Sequence, residues 1–412
     1  MITRALSIAI LLASASSQAT VDSLIQSRLP HVEKFYQDLH QHPELSHQEK
    51  RTAQKVAEEL KGMGFNVIEN LGGYSAVGVM KNGKGPVTLI RSDLDALPVP
   101  EDTGLKYSSQ NKGVMHACGH DFHTAALIGT AYVMSQSKDQ WKGTLIFVAQ
   151  PAEEVGMGAQ KMLNAGLYKK VPKPDQALAL HTSGKYKKGT IGMVSGPALA
   201  NVDSVDIIFK GVGAHGSTPE MGVDPFIQAA EFILKTQTLL GREKPARKPA
   251  VISIGSVHGG AKHNIIPEEA HLQLTVRSYE PEIRKWALTR IKETAEGIAQ
   301  LSKAPAPKVT FSDATEATVN SPELGKKLQK VFVEKLGQNS VIQVEPIMGG
   351  EDFGLFGSTI NIPSYLFWVG EKDEKRPSVS NHSPKYAPDF KATAPLAIKA
   401  MISALMELHK TT

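Results

Sequence analysis

The stretch Val87-Thr-Leu-Ile-Arg-Ser-Asp-Leu-Asp95 joins four residues fit for a buried strand to a run carrying one arginine and two aspartates. A short apolar run rich in β-branched residues is the pattern of a strand covered on both faces. The arrangement returns twice downstream. Thr144-Leu-Ile-Phe-Val148 runs into Gln150-Pro-Ala-Glu-Glu154, and Gln176-Ala-Leu-Ala-Leu180 is expected to end on His181. A helix is expected from about Thr124, which gives the order strand, helix, strand. Sheets built this way carry their ligand sites outside the carboxyl ends of the strands. Three apolar runs that each deliver polar groups at that end therefore predict an α/β fold with one functional rim.

Between the first two runs lies Met115-His-Ala-Cys-Gly-His-Asp-Phe-His123, with three histidines, an aspartate and the only cysteine of the chain. Cys118 and His120 are two apart, so in an extended segment their side chains point to the same side. A thiolate and an imidazole converging in this way suit a borderline divalent metal such as zinc, manganese, cobalt or nickel. Read alone, the segment is more simply a small buried cysteine beside surface histidines; Gly119 between the two and the acids and histidines at later strand ends favour the metal. Glu153 and Glu154 are adjacent, so they are expected to divide two roles. Glu154 can ligate, while Glu153 takes the proton of a water that the metal acidifies. Away from a site, such a pair is plain surface charge. His181 alone is more often a satisfied core histidine, and His382, in Ser380-Asn-His-Ser-Pro384, a solvated loop residue. Met348-Gly-Gly-Glu-Asp-Phe353 is either a turn or a place where backbone approaches a ligand closely.

Working outward, 412 residues suffice for two domains with ample core. Hydrophobic content of 41% and charged content of 21% describe an ordinary globular chain, and the net charge of +5 is small. No basic stripe with interleaved aromatics appears, so nucleic acid is not expected as a partner. Arg4 followed by the apolar Ala5 to Ala15 and by Ser17-Gln18-Ala19 reads as a secretory signal, residues 1–19, with a small-x-small cleavage site. That apolar run falls far short of the roughly 20 residues that span a bilayer, and no later stretch reaches it. A periplasmic or secreted protein is therefore expected, in which a lone Cys118 can form no internal disulfide. Val21 to His40 has helical periodicity, with Pro30 as a break. Ser46-x-x-Glu49 reads as a capping box opening a helix that Gly62 and Gly64 stop near Met63. Tyr365-Leu-Phe-Trp-Val369 is a further strand, and Ala392 to Leu408 a final amphipathic helix.

The middle of the chain changes character. Strands are expected at Val202–Lys210, Ala250–Val257, Ala270–Val276 and Lys308–Phe311, with helices at Asp224–Leu240 and Glu282–Ser302. The order β-α-β-β-α-β is the ferredoxin-like pattern. The expected architecture is a catalytic α/β domain (20–197 and 313–412), its mixed sheet covered by helices, interrupted by a ferredoxin-like α+β domain at 198–312.

The motifs Arg91-x-Asp-x-Asp-Ala-Leu-Pro98, Met115-His-Ala-Cys-Gly-His-Asp-x-His123, Gln150-Pro-Ala-Glu-Glu154, Asn264-x-Ile-Pro267 and Gly349-Gly-Glu-Asp-Phe353 occur in order between His40-Gln-His-Pro-Glu44 and His382-Ser-Pro384. In them the chain resembles peptidase family M20, and within it the amidohydrolase branch of indole-acetyl-amino acid hydrolases, hippurate hydrolases and N-acyl-amino acid amidohydrolases. The resemblance implies two divalent metal ions held by Cys118, His120, Glu154, His181 and His382, with Glu153 as general base. It implies that Asp93 orients the site, and that the insert is a lid or dimerisation domain through which a homodimer forms. On that domain His215 would stabilise the oxyanion, while Asn264 and Arg277, with Gly350 of the glycine-rich turn, would bind a small N-acyl amino acid or dipeptide by its free carboxylate. Ile265 and Leu274 stand where valine and glycine are usual in the family. Two other readings compete: a cysteine hydrolase using Cys118, and a non-catalytic exported binding protein of the same fold.

Overall fold

The computed structural model describes residues 2–374 and 377–410, without the side chains of residues 2–20 and 313. Two compact units emerge. One comprises Met1–Gly196, Val319–Glu345 and Phe353–Thr412; the other comprises Pro197–Thr318 and Pro346–Asp352. The second range is wider than 198–312, because the glycine-rich turn joins it.

The first unit is built on strands β1 (Asn66–Glu69), β2 (Ala76–Asn82), β3 (Val87–Asp93), β4 (Gly143–Gln150), β5 (Gln176–Lys187) and β6 (Ile191–Met193). Strands Val341–Gln343 and Ser364–Lys372 complete an eight-stranded sheet in the order β1, β2, β4, β3, β5, Ser364–Lys372, β6, Val341–Gln343. Its centre is parallel, since β3 pairs in parallel with β4 and β5, and β5 with Ser364–Lys372. Antiparallel β2 and β6 make it mixed. All eight residues of β4 are buried, as a run with apolar side chains on both faces requires. Phe147 packs edge-on against Phe65, and its truncation to alanine should cost on the order of 3–5 kcal/mol.

Helices α1 (Ile2–Gln41), α2 (Lys50–Gly62) and α3 (His120–Gln136) join helices Pro322–Leu336 and Phe390–Leu408 in one apolar core with the sheet. Helix α1 runs through Pro30 without a break. The secretory signal expected at 1–19 has its side chains outside the described set. Among the described residues no helix is long and apolar enough to cross a membrane.

The entry to α2 departs from expectation. Ser46 and Glu49 do not form a capping box, and Glu49 makes no side-chain cap. The carboxylate of Glu44, from the preceding turn, accepts instead from the Arg51 and Thr52 N–H groups at 3.0 and 2.8 Å, and from the Thr52 hydroxyl. With the first turn of α2 satisfied from Glu44, Ser46 and Glu49 are left to turn elsewhere.

The second unit has a four-stranded antiparallel sheet in the order Ala250–Gly259, Glu269–Ser278, Asn201–Lys210, Lys308–Thr315. In sequence terms this is 2-3-1-4, the ferredoxin-like arrangement. Asn201–Lys210 alternates, and its Val205, Ile207 and Phe209 pack with Phe232 and Ile291 of helices Pro225–Thr238 and Pro281–Leu301.

Candidate metal centre

Strands β3 and β4 end on Asp93 and Gln150, as their apolar runs foretell. Strand β5 does not end on His181; it continues to Lys187, paired with Ser364–Lys372. Its pairing with β3 stops at Ala179, however, so His181 stands beyond the shared part of the sheet. Helix α3 begins at His120 rather than near Thr124. Cys118 and His120 therefore do not converge through an extended segment. The chain turns between them at Gly119, whose φ of +90° favours glycine, and a β-carbon there would sit 2.5 Å from Thr182 Oγ1.

One ligand atom each from Cys118, His120 and Glu154 lie within 4.8 Å of one another. His120 is fully buried, and neither of its ring nitrogens makes a hydrogen bond among the described residues. Its Nε2 faces Asp93 Oδ2 and Glu153 Oε2 at 3.7 Å and Glu154 Oε1 at 3.8 Å, while Asp95 Oδ1 is 3.4 Å from Nδ1. Buried polar atoms without partners are rare and call for an explanation such as an ion. Separations near 3.5 Å are what atoms sharing one ion about 2.1 Å away would show. Glu154 Oε1 is likewise buried without a hydrogen bond. Its Oε2 lies 3.5 Å from Nε2 of His382, a residue in left-handed backbone at φ +68°. The His382 N–H donates to the Ala117 carbonyl at 2.7 Å, and Asn381 Nδ2 to the Cys118 carbonyl at 3.1 Å, so this loop is tied to the cysteine segment.

His181 presents the tautomer of a ligand. Its Nδ1 lies 2.7 Å from the Thr182 carbonyl and must donate to it, which aims the Nε2 lone pair at Cys118 Sγ, 3.5 Å away. His123, also near Asp93, His120 and His181, is excluded as a ligand by its own hydrogen bonds. Its Nε2 accepts the Thr182 N–H at 2.9 Å, so Nδ1 carries the hydrogen and donates to Asp93 Oδ1 at 2.7 Å. Arg91 fixes the other oxygen of Asp93 at 2.7 Å. Burial opposes ionisation of Asp93, yet His120 and Arg91 hold its carboxyl well below the usual range.

Burial and the Glu154 carboxylate push the Cys118 thiol well above its ordinary value. Burial pushes His181 well below its own, so it is a poor base for that thiol. A nucleophilic Cys–His pair needs the opposite shifts, and the cysteine-hydrolase reading loses its support. Cys118, His120 and Glu154 form a donor set that fits a divalent cation, with Asp93, Asp95 and Glu153 facing the same imidazole.

Three residues behind the rim were not foreseen as a group. His40 Nδ1 meets Asp121 Oδ2 at 2.6 Å and its Nε2 meets Glu101 Oε1 at 3.2 Å, with His40 and Asp121 buried and Glu101 partly so. Burial disfavours the imidazolium, but Asp121 and Glu101 outweigh it and raise His40 to about 9. His116, in the quoted cysteine stretch, is buried with neither nitrogen hydrogen-bonded, and burial lowers it to about 4.

The second unit carries the remaining candidates. His215 and Asn264 are neighbours, because Ala214–His215 pairs with Ile265–Ile266 and the Gly216 N–H donates to the Asn264 carbonyl. His215 Nδ1 accepts the Ser217 N–H at 3.1 Å, which leaves Nε2 as the donor. Asn264 Oδ1 is buried without a hydrogen bond. Arg277 donates to the Met348 carbonyl at 2.7 Å and to Thr275 Oγ1 at 3.3 Å; no acidic side chain among the described residues pairs with it, and Glu269 pairs with Lys210. At Gly350 the close neighbour is Val202, whose Cγ2 would lie 2.7 Å from an added β-carbon.

Comparison with known proteins agrees with this chemistry. Residues 89–407 match the family described as Peptidase family M20/M25/M40. The chain is 36% identical to a thermostable carboxypeptidase of Saccharolobus solfataricus over 85% of its length and 88% of that protein's. It is 36% identical to an N-acetylcysteine deacetylase of Bacillus subtilis, covering 81% and 86% of the two chains. A crystal structure from Bacillus subtilis, described as a dinuclear metal binding peptidase from the M20 family, superposes with a TM-score of 0.79 at 31% identity, over 92% of this chain and 98% of that one.

Proposed function

We propose a reaction for this chain on the premise that it belongs to peptidase family M20/M25/M40 and is a metal-dependent hydrolase. It cleaves the amide bond of N-acyl amino acids or short peptides that carry a free carboxylate. The observation that supports this most directly is His120, buried with both nitrogens unsatisfied and facing Asp93, Glu153 and Glu154.

Two divalent ions, zinc, manganese, cobalt or nickel, would be held by Cys118, His120, Glu154, His181 and His382, and when bound they acidify a water and polarise the scissile carbonyl. Asp93 holds the His123 imidazole in place, and Asp95 faces Nδ1 of His120 at 3.4 Å. Glu153 takes the proton of the attacking water and delivers it to the leaving amine. In the second unit, read as the lid or dimerisation domain, His215 Nε2–H donates to the oxyanion. Asn264 and Arg277 grip the carboxylate beside the Gly350 backbone, Arg277 through a planar fork that no carboxylate among the described residues occupies.

The second unit also supports the expected homodimer. Ile227 and Leu234, seven residues apart on helix Pro225–Thr238, are 57% and 71% exposed, and Val257 on the edge strand is 47% exposed. The N-terminal pattern supports export with removal of 1–19, which N-terminal sequencing of the periplasmic protein checks.

A hydrolysis screen decides the main reading. N-acetyl, N-benzoyl and indole-acetyl amino acids and dipeptides are offered to enzyme loaded with each metal. Turnover of at least one acyl class is expected. A metal-loaded, folded enzyme that binds these compounds and cleaves none of them would be the exported binding protein instead.

A further inference from the structure

The structure assigns Glu49 and Ser46 to the turn that carries Glu153 and Glu154: we propose that, with Asp95, they fix its backbone and so aim both carboxylates. The inference rests on the roles given to Glu153 and Glu154 above. Three consecutive N–H groups of that turn end on buried carboxylates from elsewhere in the chain. Ala152 N–H donates to Glu49 Oε1 at 2.8 Å, Glu153 N–H to Asp95 Oδ1 at 3.1 Å and Glu154 N–H to Asp95 Oδ2 at 3.0 Å. Glu49 is wholly buried and its Oε1 also accepts the His47 N–H at 2.9 Å, which ties the turn to the entry of α2. Ser46 Oγ donates to Asp95 Oδ2 at 2.6 Å and so fixes the rotamer of that carboxylate.

The turn needs such support. Ala152 sits at φ +54°, in the left-handed region that a residue with a β-carbon enters only under constraint. It is buried, and its α-carbon sets the direction in which Glu153 and Glu154 leave the sheet. The pair Ser46-x-x-Glu49 carries the signature of a helix cap, but Glu44 performs that task. What the two side chains do instead is hold a loop more than a hundred residues downstream.

The test uses full-length Glu49→Ala and Glu49→Gln. Glutamine keeps an oxygen that can accept the same two N–H groups, and alanine does not. Amide exchange is followed over residues 150–156 in metal-free protein, and cobalt affinity by calorimetry. In Glu49→Ala, exchange should rise and cobalt affinity fall by about tenfold each, the scale of a lost hydrogen bond to a charged acceptor. Glu49→Gln should restore both to within about threefold. Turnover should follow cobalt affinity in kcat, with KM nearly unchanged. Unaltered exchange in Glu49→Ala, or faster exchange with wild-type cobalt affinity, overturns the assignment. If Glu49→Ala does not fold, Ser46→Ala supplies the same two readings through Asp95. Neither reading requires turnover, so a failed substrate screen leaves the result standing, and a failed clamp leaves the hydrolase reading intact.

Discussion

Cys118 Sγ and His181 Nε2 stand 3.5 Å apart, with the lone pair of the imidazole turned toward the sulfur by the Thr182 carbonyl on its other side. A thiol in this setting stays protonated by itself, because burial and Glu154 push it upward. Chelation should therefore abolish activity, and a divalent cation should restore it. Cys118→Ser should fold but bind metal weakly, since a hydroxyl does not ionise as a thiol does. Full activity in protein shown by elemental analysis to be metal-free would refute the metal centre.

Glu153 and Glu154 should separate under the same substitution. Glu153→Gln is expected to retain metal while the rate falls by roughly two to four orders of magnitude. Glu154→Gln should lose metal instead, because its Oε2 faces His382 and its Oε1 faces His120. Equal metal loss in both variants, measured on purified protein, would mean that the roles are wrongly divided.

Among the described residues Arg277 touches a carbonyl and a hydroxyl but no carboxylate. Arg277→Ala should slow substrates with a free α-carboxylate by about ten- to hundredfold and hardly affect the corresponding amides. His215→Ala should cost about a hundredfold or more in turnover on both substrate types, as loss of an oxyanion donor does. If Arg277→Ala scales acids and amides by one factor, the carboxylate is read by another group.

The His40 triad gives a pH dependence of stability. Its folded pKa of about 9 lies above the ordinary 6.5, so folding binds a proton. The contribution is complete below pH 6.5 and is lost as pH rises toward 9, on the order of 3 kcal/mol at most. Thermal unfolding of wild type and His40→Gln between pH 5.5 and 10 measures it (pH limits chosen to bracket about one unit around those values). The wild-type advantage should be flat below that window and shrink across it. An advantage that stays constant to pH 10 contradicts a charged His40.

Strands β3 and β4 and the rim they reach were legible because apolar runs that lead into acids state both burial and direction, whereas β5 runs past His181 to Lys187 through a pairing with Ser364–Lys372 that its own residues do not announce. The ferredoxin-like insert was legible from alternation, as in Val205, Ile207 and Phe209. Reading failed where the partner of a side chain lay far along the chain. Ser46 and Glu49 have the spacing of a cap, and only the fold shows that Glu44 has taken the N–H groups of α2 while Glu49 reaches Ala152. His123 looks as ligand-like as His120 in sequence. Thr182, on another strand, occupies its lone pair. The helix start at His120 was hidden because the turn that precedes it is set by Gly119 against Thr182 rather than by a capping side chain.

The place of Ser364–Lys372 in the sheet imposes an order of assembly in time. This strand lies between β5 and β6, with Tyr365 opposite Leu178, so neighbours in space are synthesised nearly half a chain apart. Until it arrives, β5 keeps one long edge open, and β6 has no partner but Val341–Gln343. Pairings this distant form slowly, and an open apolar edge invites association between nascent chains. His382, a ligand in the function proposed above, follows the same strand and so is made after the piece that joins β5 to β6. A chain stalled before residue 364 would therefore hold Cys118, His120, Glu154 and His181 beside an open edge of β5, so the rim is complete only once the strand Ser364–Lys372 has been added.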